Sequence, residues 1–166
     1  DDGSEMFMLE AGYVSRLELG VYFREYVFAK SMFKKSHPFA AQDGSYCLFV
    51  LNYYFGAITC CCLARKTTTK RRKHIQKARA LLHKLKRLTK IRGRNSWHRC
   101  LVIEAVLMSA KQKNHRETVQ KQIRRVMTAF DLAIDSARQS GYPQDVGLAS
   151  QLAADFLLEA GDDKSM

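Results

Sequence analysis

The sequence predicts an all-α fold of about seven helices joined as antiparallel hairpins, and three observations predict it. Across 166 residues there are only two prolines and nine glycines, too few chain breakers for the frequent turns of an all-β sandwich. Apolar residues recur at spacings of three and four in segment after segment, the period of a helix with one buried face. The apolar share, 46%, is that of an ordinary globular chain, which excludes disorder of the whole and supplies one sizeable core.

The first segment, about residues 5–36, divides near Arg24-Glu25. Leu9, Tyr13, Leu17 and Val21 (or Gly20) form the stripe of its first helix, and Tyr26, Ala29 and Phe33 that of its second. His37-Pro38 ends the second helix, because proline drives the residue before it out of helical geometry. Gln42-Asp43-Gly44-Ser45 reads as a turn and N-cap. The third helix, Tyr46 to Ala64, is apolar almost all round, with Tyr46, Phe49, Tyr53, Ala57 and Cys60 on one face. Thr67 to Thr69 makes the next turn, since β-branched hydroxyl residues favour caps over helix interiors. The fourth helix, about residues 70–91, is basic, carries the stripe Ile75, Ala78, Leu82, Leu85 and Leu88, and ends at a C-cap Gly93. Asn95 caps the fifth, along which Trp97, Leu101, Ala105 and Met108 align. After Asn114 the sixth carries Val119, Ile123, Val126, Phe130 and Ala133 or Ile134, and Gly141 closes it. Pro143 suits the first turn of the seventh, whose stripe is Ala149, Leu152, Ala153, Phe156 and Ala160. The hairpins therefore span about residues 5–36, 42–92 and 95–140, with a half-repeat at 143–160.

A repeat emerges when the second helices of the hairpins are superposed. Ala29-x3-Phe33, Ala78-x3-Leu82-x2-Leu85 and Val126-x3-Phe130-x2-Ala133 align, with Phe33, Leu82 and Phe130 separated by 49 and 48 residues. In the first helices the small residues Gly56, Ala105 and Ala153 keep the same 49 and 48 spacing, which lets paired helices approach closely. Two helices per unit at a constant period is the pattern of a helical solenoid. Small-x3-aromatic-x2-small, with Tyr26-x2-Ala29-x3-Phe33 as its turn-to-helix part, resembles the tetratricopeptide pattern. The run Phe130 to Tyr142, followed by Gln144-Asp145 and Leu148 to Phe156, is similar to the tetratricopeptide-like region of large multidomain signalling ATPases and sensor kinases. Asn95-x2-His98-x2-Leu101-x2-Glu104-Ala105 and Tyr53 to Ala57 share that likeness. The resemblance implies one repeat segment over residues 1–166, part of a longer signalling chain, and transfers no catalytic residue. A period near 48 exceeds the roughly 34 residues of a tetratricopeptide unit, and HEAT-like packing stays an alternative.

Charge is strongly uneven. Fourteen of the 28 Lys and Arg residues lie between Arg65 and Arg94, and no Asp or Glu occurs from Gly44 to Ile103. Elsewhere fourteen basic residues face sixteen acidic ones, so the net charge of +12 belongs to one element and not to the fold. Lys70, Arg71, Arg72, Lys73, Lys77, Lys84 and Arg87 are the candidate contacts to an acidic protein or anionic lipid, set against a basic face that is only solvated. Ile75, Leu82 and Leu88 have the 1-8-14 spacing of calmodulin-binding helices, but that stripe is also the one the hairpin needs for its own packing. Nucleic acid is disfavoured, because no aromatic residue lies between Arg65 and Arg94 to stack on bases.

Catalytic, metal and cofactor chemistry find no constellation. Cys60-Cys61-Cys62 lacks the two-residue gap that converges thiolates on zinc, His74 and His83 are nine apart, and His98 and Cys100 point nearly opposite ways on a helix. No phosphate-binding glycine loop or nucleophile elbow occurs. Glu104 is expected to pair with an arginine of a neighbouring helix. The odd cysteine total and the acidic opening Asp1-Asp2 point to reduced thiols and a cytoplasmic location. Cys47 to Ala64, eighteen residues without charge followed by Arg65-Lys66, is an alternative membrane span. The sequence thus leads to a non-catalytic interaction or scaffold segment that docks protein partners or neighbouring domains. A basic membrane-associated element centred on residues 46–94 is the competing reading.

Overall fold

A computed structural model describes residues 2–38, 45–92, 96–110 and 118–162, and among them every regular element is helical. The helices are α1 (Asp2–Tyr22), α2 (Tyr26–Ser36), α3 (Tyr46–Lys66), α4 (Arg71–Arg92), α5 (Trp97–Ser109), α6 (Val119–Gln139) and α7 (Pro143–Asp162). The odd-numbered helices pack in succession, α1 on α3, α3 on α5 and α5 on α7. Each even-numbered helix packs against the odd helices before and after it.

This arrangement explains α3. Helices α1, α2, α4 and α5 all pack against it, and every residue from Tyr54 to Ala64 is buried. By length and composition α3 could cross a membrane, yet its apolar surface meets neighbouring helices instead. Removing such a face from water is the main stabilising contribution, about 1.5–3 kcal/mol for each large side chain fully buried. Two glycines set helix separations. An added Cβ at Gly56 would lie 2.4 Å from Phe33 Cε2, and one at Gly20 would lie 3.0 Å from Ala29 Cβ and 3.1 Å from the Ala29 backbone. The Ala29 backbone cannot give way. Gly20→Ala should therefore unfold at lower urea concentration than the parent, the overpacking of about 1–3 kcal/mol exceeding the helix-propensity gain of about 1 kcal/mol.

Three stripes differ from the sequence expectation. Leu9 is 47% exposed, and α1 instead buries Val14, Leu17, Gly20 and Val21. Trp97 is 43% exposed, because α5 turns His98, Cys100, Val102 and Ile103 inward and leaves Leu101 and Met108 half-buried. On α4 the buried line runs His74, Ala78, Leu81, Leu85 and Thr89, so Leu82 is only half-buried and Leu81 holds the central place. A helix packed on two neighbours buries a broad sector, and its centre cannot be read from apolar spacing alone. The expected caps at Gly93 and Asn95, and the turn residues Gln42, Asp43 and Gly44, lie outside the described residues. Ser45 occupies the N-cap of α3 without a side-chain cap bond, whereas Thr118 caps α6 by accepting from Lys121 N at 3.3 Å.

The turn between α1 and α2 meets α7. Tyr22 Oη donates to Gln144 O (3.4 Å), Gln151 Nε2 donates to Tyr22 O (3.3 Å), and Arg24 pairs with Asp155 at 2.7 Å. Arg24 sits at φ 62°, a left-handed residue that closes α1 and aims the chain into α2. The last helix is thereby tied to the turn of the first hairpin.

Candidate functional site

Two polar regions stand out, one on the surface and one inside. The surface region is α4. It is basic because its sequence holds twelve of its twenty-two positions as Lys, Arg or His and none as Asp or Glu. Its cations divide by flank. Towards α5, Arg71 donates Nη2 (2.8 Å) and Nε (3.2 Å) to Ala110 O, capping the C-terminal end of α5, and Lys86 forms an ion pair with Glu104. Glu104 therefore takes a lysine rather than the expected arginine. Towards α2 and α3 the lysines lie over rings instead, Lys77 Nζ 4.6 Å from the Phe33 centroid and Lys84 Nζ 5.5 Å from that of Tyr53. Lys70, Arg72, Lys73 and Arg87 are exposed. Arg71 is engaged within the fold, so Arg71→Met should cost about 1–2 kcal/mol in chemical denaturation. Exposed Arg72→Met should stay within about 0.5 kcal/mol of the parent. Equal effects would refute this division.

His74 faces this flank at 8% exposure, its imidazolium disfavoured by burial first and then by the charges of Lys30, Lys70, Lys77 and Lys73. The charges of Lys77 and Lys30 favour the Cys60 thiolate, but burial outweighs both and pushes its thiol up. Cys61 is pushed well up by burial and Cys62 to about 11, so the triplet is poor in the thiolate that nucleophilic or metal chemistry requires.

The interior region joins α5 to α7. Helix α6 ends in a Schellman motif: Gly141 at φ 77° donates its N–H to Arg138 O (3.1 Å), and Tyr142 donates to Ala137 O (3.0 Å). That turn places Tyr142, then Pro143 as the first residue of α7, then Asp145 in the first turn, where a carboxylate suits the helix dipole. Asp145 Oδ2 accepts from His98 Nε2 at 2.8 Å and from Arg99 Nε at 2.9 Å. The Tyr142 ring stacks on His98 with centroids 4.5 Å apart, and the Arg99 guanidinium lies 5.2 Å from the Tyr142 ring and 5.6 Å from that of Tyr54. Burial raises the pKa of Asp145, but the His98 bond and then the Arg99 charge and bond overcome it and hold the carboxyl below its ordinary range. The same carboxylate acts on its neighbours. Tyr22 is pushed to about 12 by burial, Glu18 and Asp145, and Tyr54 is pushed well up by burial and Asp145. A histidine on an aspartate has the outline of a catalytic dyad. Here both side chains are buried (0% and 2% exposed), Nε2 is engaged by the carboxylate, and the pair fastens α5 to α7.

An open cleft of about 230 Å³ lies between the α1–α2 turn, the end of α3 and α7, with Tyr26 and Cys62 among its lining residues. Arg24–Asp155 and Arg65–Glu159, both 2.7 Å, form its polar edge. Among the described residues no three His, Cys, Asp or Glu side chains are grouped as metal ligands would be.

Of the repeat-packing residues, Tyr26, Ala29, Phe33, Gly56, Ala78, Ala105, Phe130, Ala133 and Ala153 are buried, Leu82 partly so. The interior cluster escaped sequence reasoning. His98 and Arg99 adjoin in sequence, but Asp145 lies 46 residues from Arg99. The signal that could have found it is Gly141-x-Pro143-x-Asp145, a helix stop and start that delivers an acid to a first turn. No family model, curated protein or solved structure matches the chain.

Proposed function

We propose that the chain is a tetratricopeptide-like repeat segment acting as a non-catalytic protein-interaction scaffold within a cytoplasmic multidomain signalling protein. The observation that carries this reading is the alternation of packing, in which odd helices succeed one another and each even helix bridges two of them. Helical-repeat arrays pack in this way and present extended surfaces to partners. The signalling context rests on the likeness of residues 130–156 to repeat regions of that class. Partners are proteins or neighbouring domains of the same polypeptide.

Panning the purified chain against a displayed random-peptide library tests the reading. A recurrent consensus whose synthetic peptide binds saturably, one per chain, is expected. Absence of any enriched consensus, or turnover of ester, nucleotide or peptide substrates by the pure chain, would refute it. The length and apolarity of α3 favour a second reading, a membrane-associated element. Flotation of the chain with uncharged phosphatidylcholine vesicles would support that reading in its place.

A further inference from the structure

The two flanks of α4 differ in how their charge is balanced. On the α5 side Arg71 and Lys86 meet a carbonyl and a carboxylate. On the α2 side Lys73 and Lys77 share one flank with His74, and Lys70, whose carbonyl accepts from His74 N, stands at the start of that flank just before the helix. Lys30 is half-buried on α2, one turn before Phe33, and its charge disfavours the His74 imidazolium. Among the described residues none of these four lysines has an ion-pair partner. Neither α2 nor α4 contains an acid. Contact between the helices at this place is direct, with Lys77 Nζ over the ring of Phe33.

We propose that the flank of α4 facing α2, with Lys30, Lys70, Lys73 and Lys77, binds a phosphate-dense anion, the compact cluster of phosphoryl groups that an inositol polyphosphate carries free or as a lipid headgroup.

Three arguments select this chemistry. Lys70 in the turn before α4 and Lys73 and Lys77 in its first two turns span about 10 Å along the helix direction, which suits several phosphoryl groups on one small ring better than carboxylates strung along an acidic chain. All four cations are ammonium point charges, which meet tetrahedral phosphate from many directions, whereas planar carboxylates favour the arginine fork. The rings nearby are covered, Phe33 being 2% exposed beneath Lys77, so they offer no stacking platform for nucleic-acid bases. Like charges grouped in this way repel one another, and a bound polyanion relieves that repulsion. The inference deepens the reading of the chain as a binding module, but it uses a flank that peptide recognition elsewhere does not need. Failed peptide panning and failed anion binding are therefore separate results.

Titration of the folded chain with inositol hexakisphosphate at ~150 mM salt tests it. The expected result is saturable binding that Lys73→Gln/Lys77→Gln weakens by about tenfold or more. Arg79→Gln/Lys90→Gln, an equal loss of charge at other exposed positions, should weaken it by less than about twofold. Circular dichroism confirms that both variants keep their helices. In the parent chain the His74 Cε1 proton should titrate at higher pH once the site is saturated, because bound phosphates offset the field of Lys30, Lys70, Lys73 and Lys77. Vesicles containing phosphatidylinositol bisphosphate, matched in total charge by phosphatidylserine vesicles, distinguish the source. Preference for the bisphosphate vesicles over free hexakisphosphate identifies a lipid headgroup, and the reverse identifies a soluble polyphosphate. Equal weakening by the two double variants, decaglutamate binding as tightly as hexakisphosphate, an unmoved His74 titration, or no binding below about 1 mM would each overturn the proposal.

Discussion

Asp145→Ala should lower the thermal midpoint by about 10 °C, the largest effect expected of any single substitution in this chain. The change leaves the Arg99 guanidinium, 12% exposed, and the fully buried His98 ring without the carboxylate that both contact. Removing one partner of a buried ion pair costs about 3–5 kcal/mol. At about 2–4 °C per kcal/mol for a chain of this size, a shift near 10 °C follows. Asp145→Asn keeps an acceptor oxygen for Arg99 but supplies no charge, and should fall between alanine and the parent. Differential scanning calorimetry decides the matter, and a midpoint within about 2 °C of the parent would refute the account of the cluster as a fastening between α5 and α7.

The same carboxylate predicts a pH dependence with a definite sign. Its folded pKa is depressed, by the His98 bond and the Arg99 charge against the opposing effect of burial. A depressed carboxyl contributes stability that is fully present above its unfolded value, about 3.9. That contribution is lost as pH falls through the lower folded value. Urea denaturation of the parent should therefore show an acid-side decline below about pH 4. In Asp145→Ala that part of the decline should be missing, so the two stabilities converge in acid. Curves that run parallel through the acid range would contradict the linkage.

Gly56→Val should destabilise the chain by about 3 kcal/mol, and Gly56→Ala by less. A Cβ here lies 2.4 and 2.5 Å from two atoms of the Phe33 ring. A ring end could swing aside on a surface, but Phe33 is 2% exposed, lies against the His37 ring at 5.2 Å and carries Lys77 on its face. The repulsion must move α2 away from α3, against a helix-propensity gain of about 1 kcal/mol for alanine. Shortening the opposing side chain tests the cause directly. Phe33→Leu should cost less in the Gly56→Ala background than in the parent, with a coupling above about 0.5 kcal/mol in a double-mutant cycle. Strict additivity would show that Gly56 acts for some other reason. Displacing α2 also moves Lys30 relative to Lys77, so Gly56→Ala should weaken hexakisphosphate binding even where the chain stays folded.

Particular elements show how far the sequence could be read. Helix α6 was legible through the middle of its buried line, Val126, Phe130 and Ala133, because it presents one apolar stripe to the core and a charged face to water, whereas buried Gln122 and Ala137 at its two ends were not read. Its end was legible too, since Gly141 adopts the left-handed conformation that a side chain would resist. Helix α5 was legible as a helix but misread in orientation. Its apolar residues run round most of its circumference, so spacing gave no preferred side, and Trp97 faces outward while His98 faces in. On α4 the presence of a basic face was plain, but which cations remain without a partner was not. Arg71 and Arg72 are adjacent in the chain and alike in chemistry, yet only Arg71 reaches the carbonyl of Ala110, 39 residues away.

Composition, periodicity and punctuation determined by themselves that the described residues form helices, seven of them, with breaks that include those near residues 24, 68 and 141, and that the positive charge is concentrated in one helix. These are local matters, set within a few residues by φ/ψ preference, by the 3.6-residue period and by the placement of Gly and Pro. Tertiary structure alone decided that Asp145 joins His98 and Arg99 and that Lys77 of α4 reaches over the Phe33 ring of α2. Each of these depends on the direction in which a helix is rotated and on the identity of what it faces. That rotation is fixed by contacts between residues tens of positions apart, about which a local pattern carries no information.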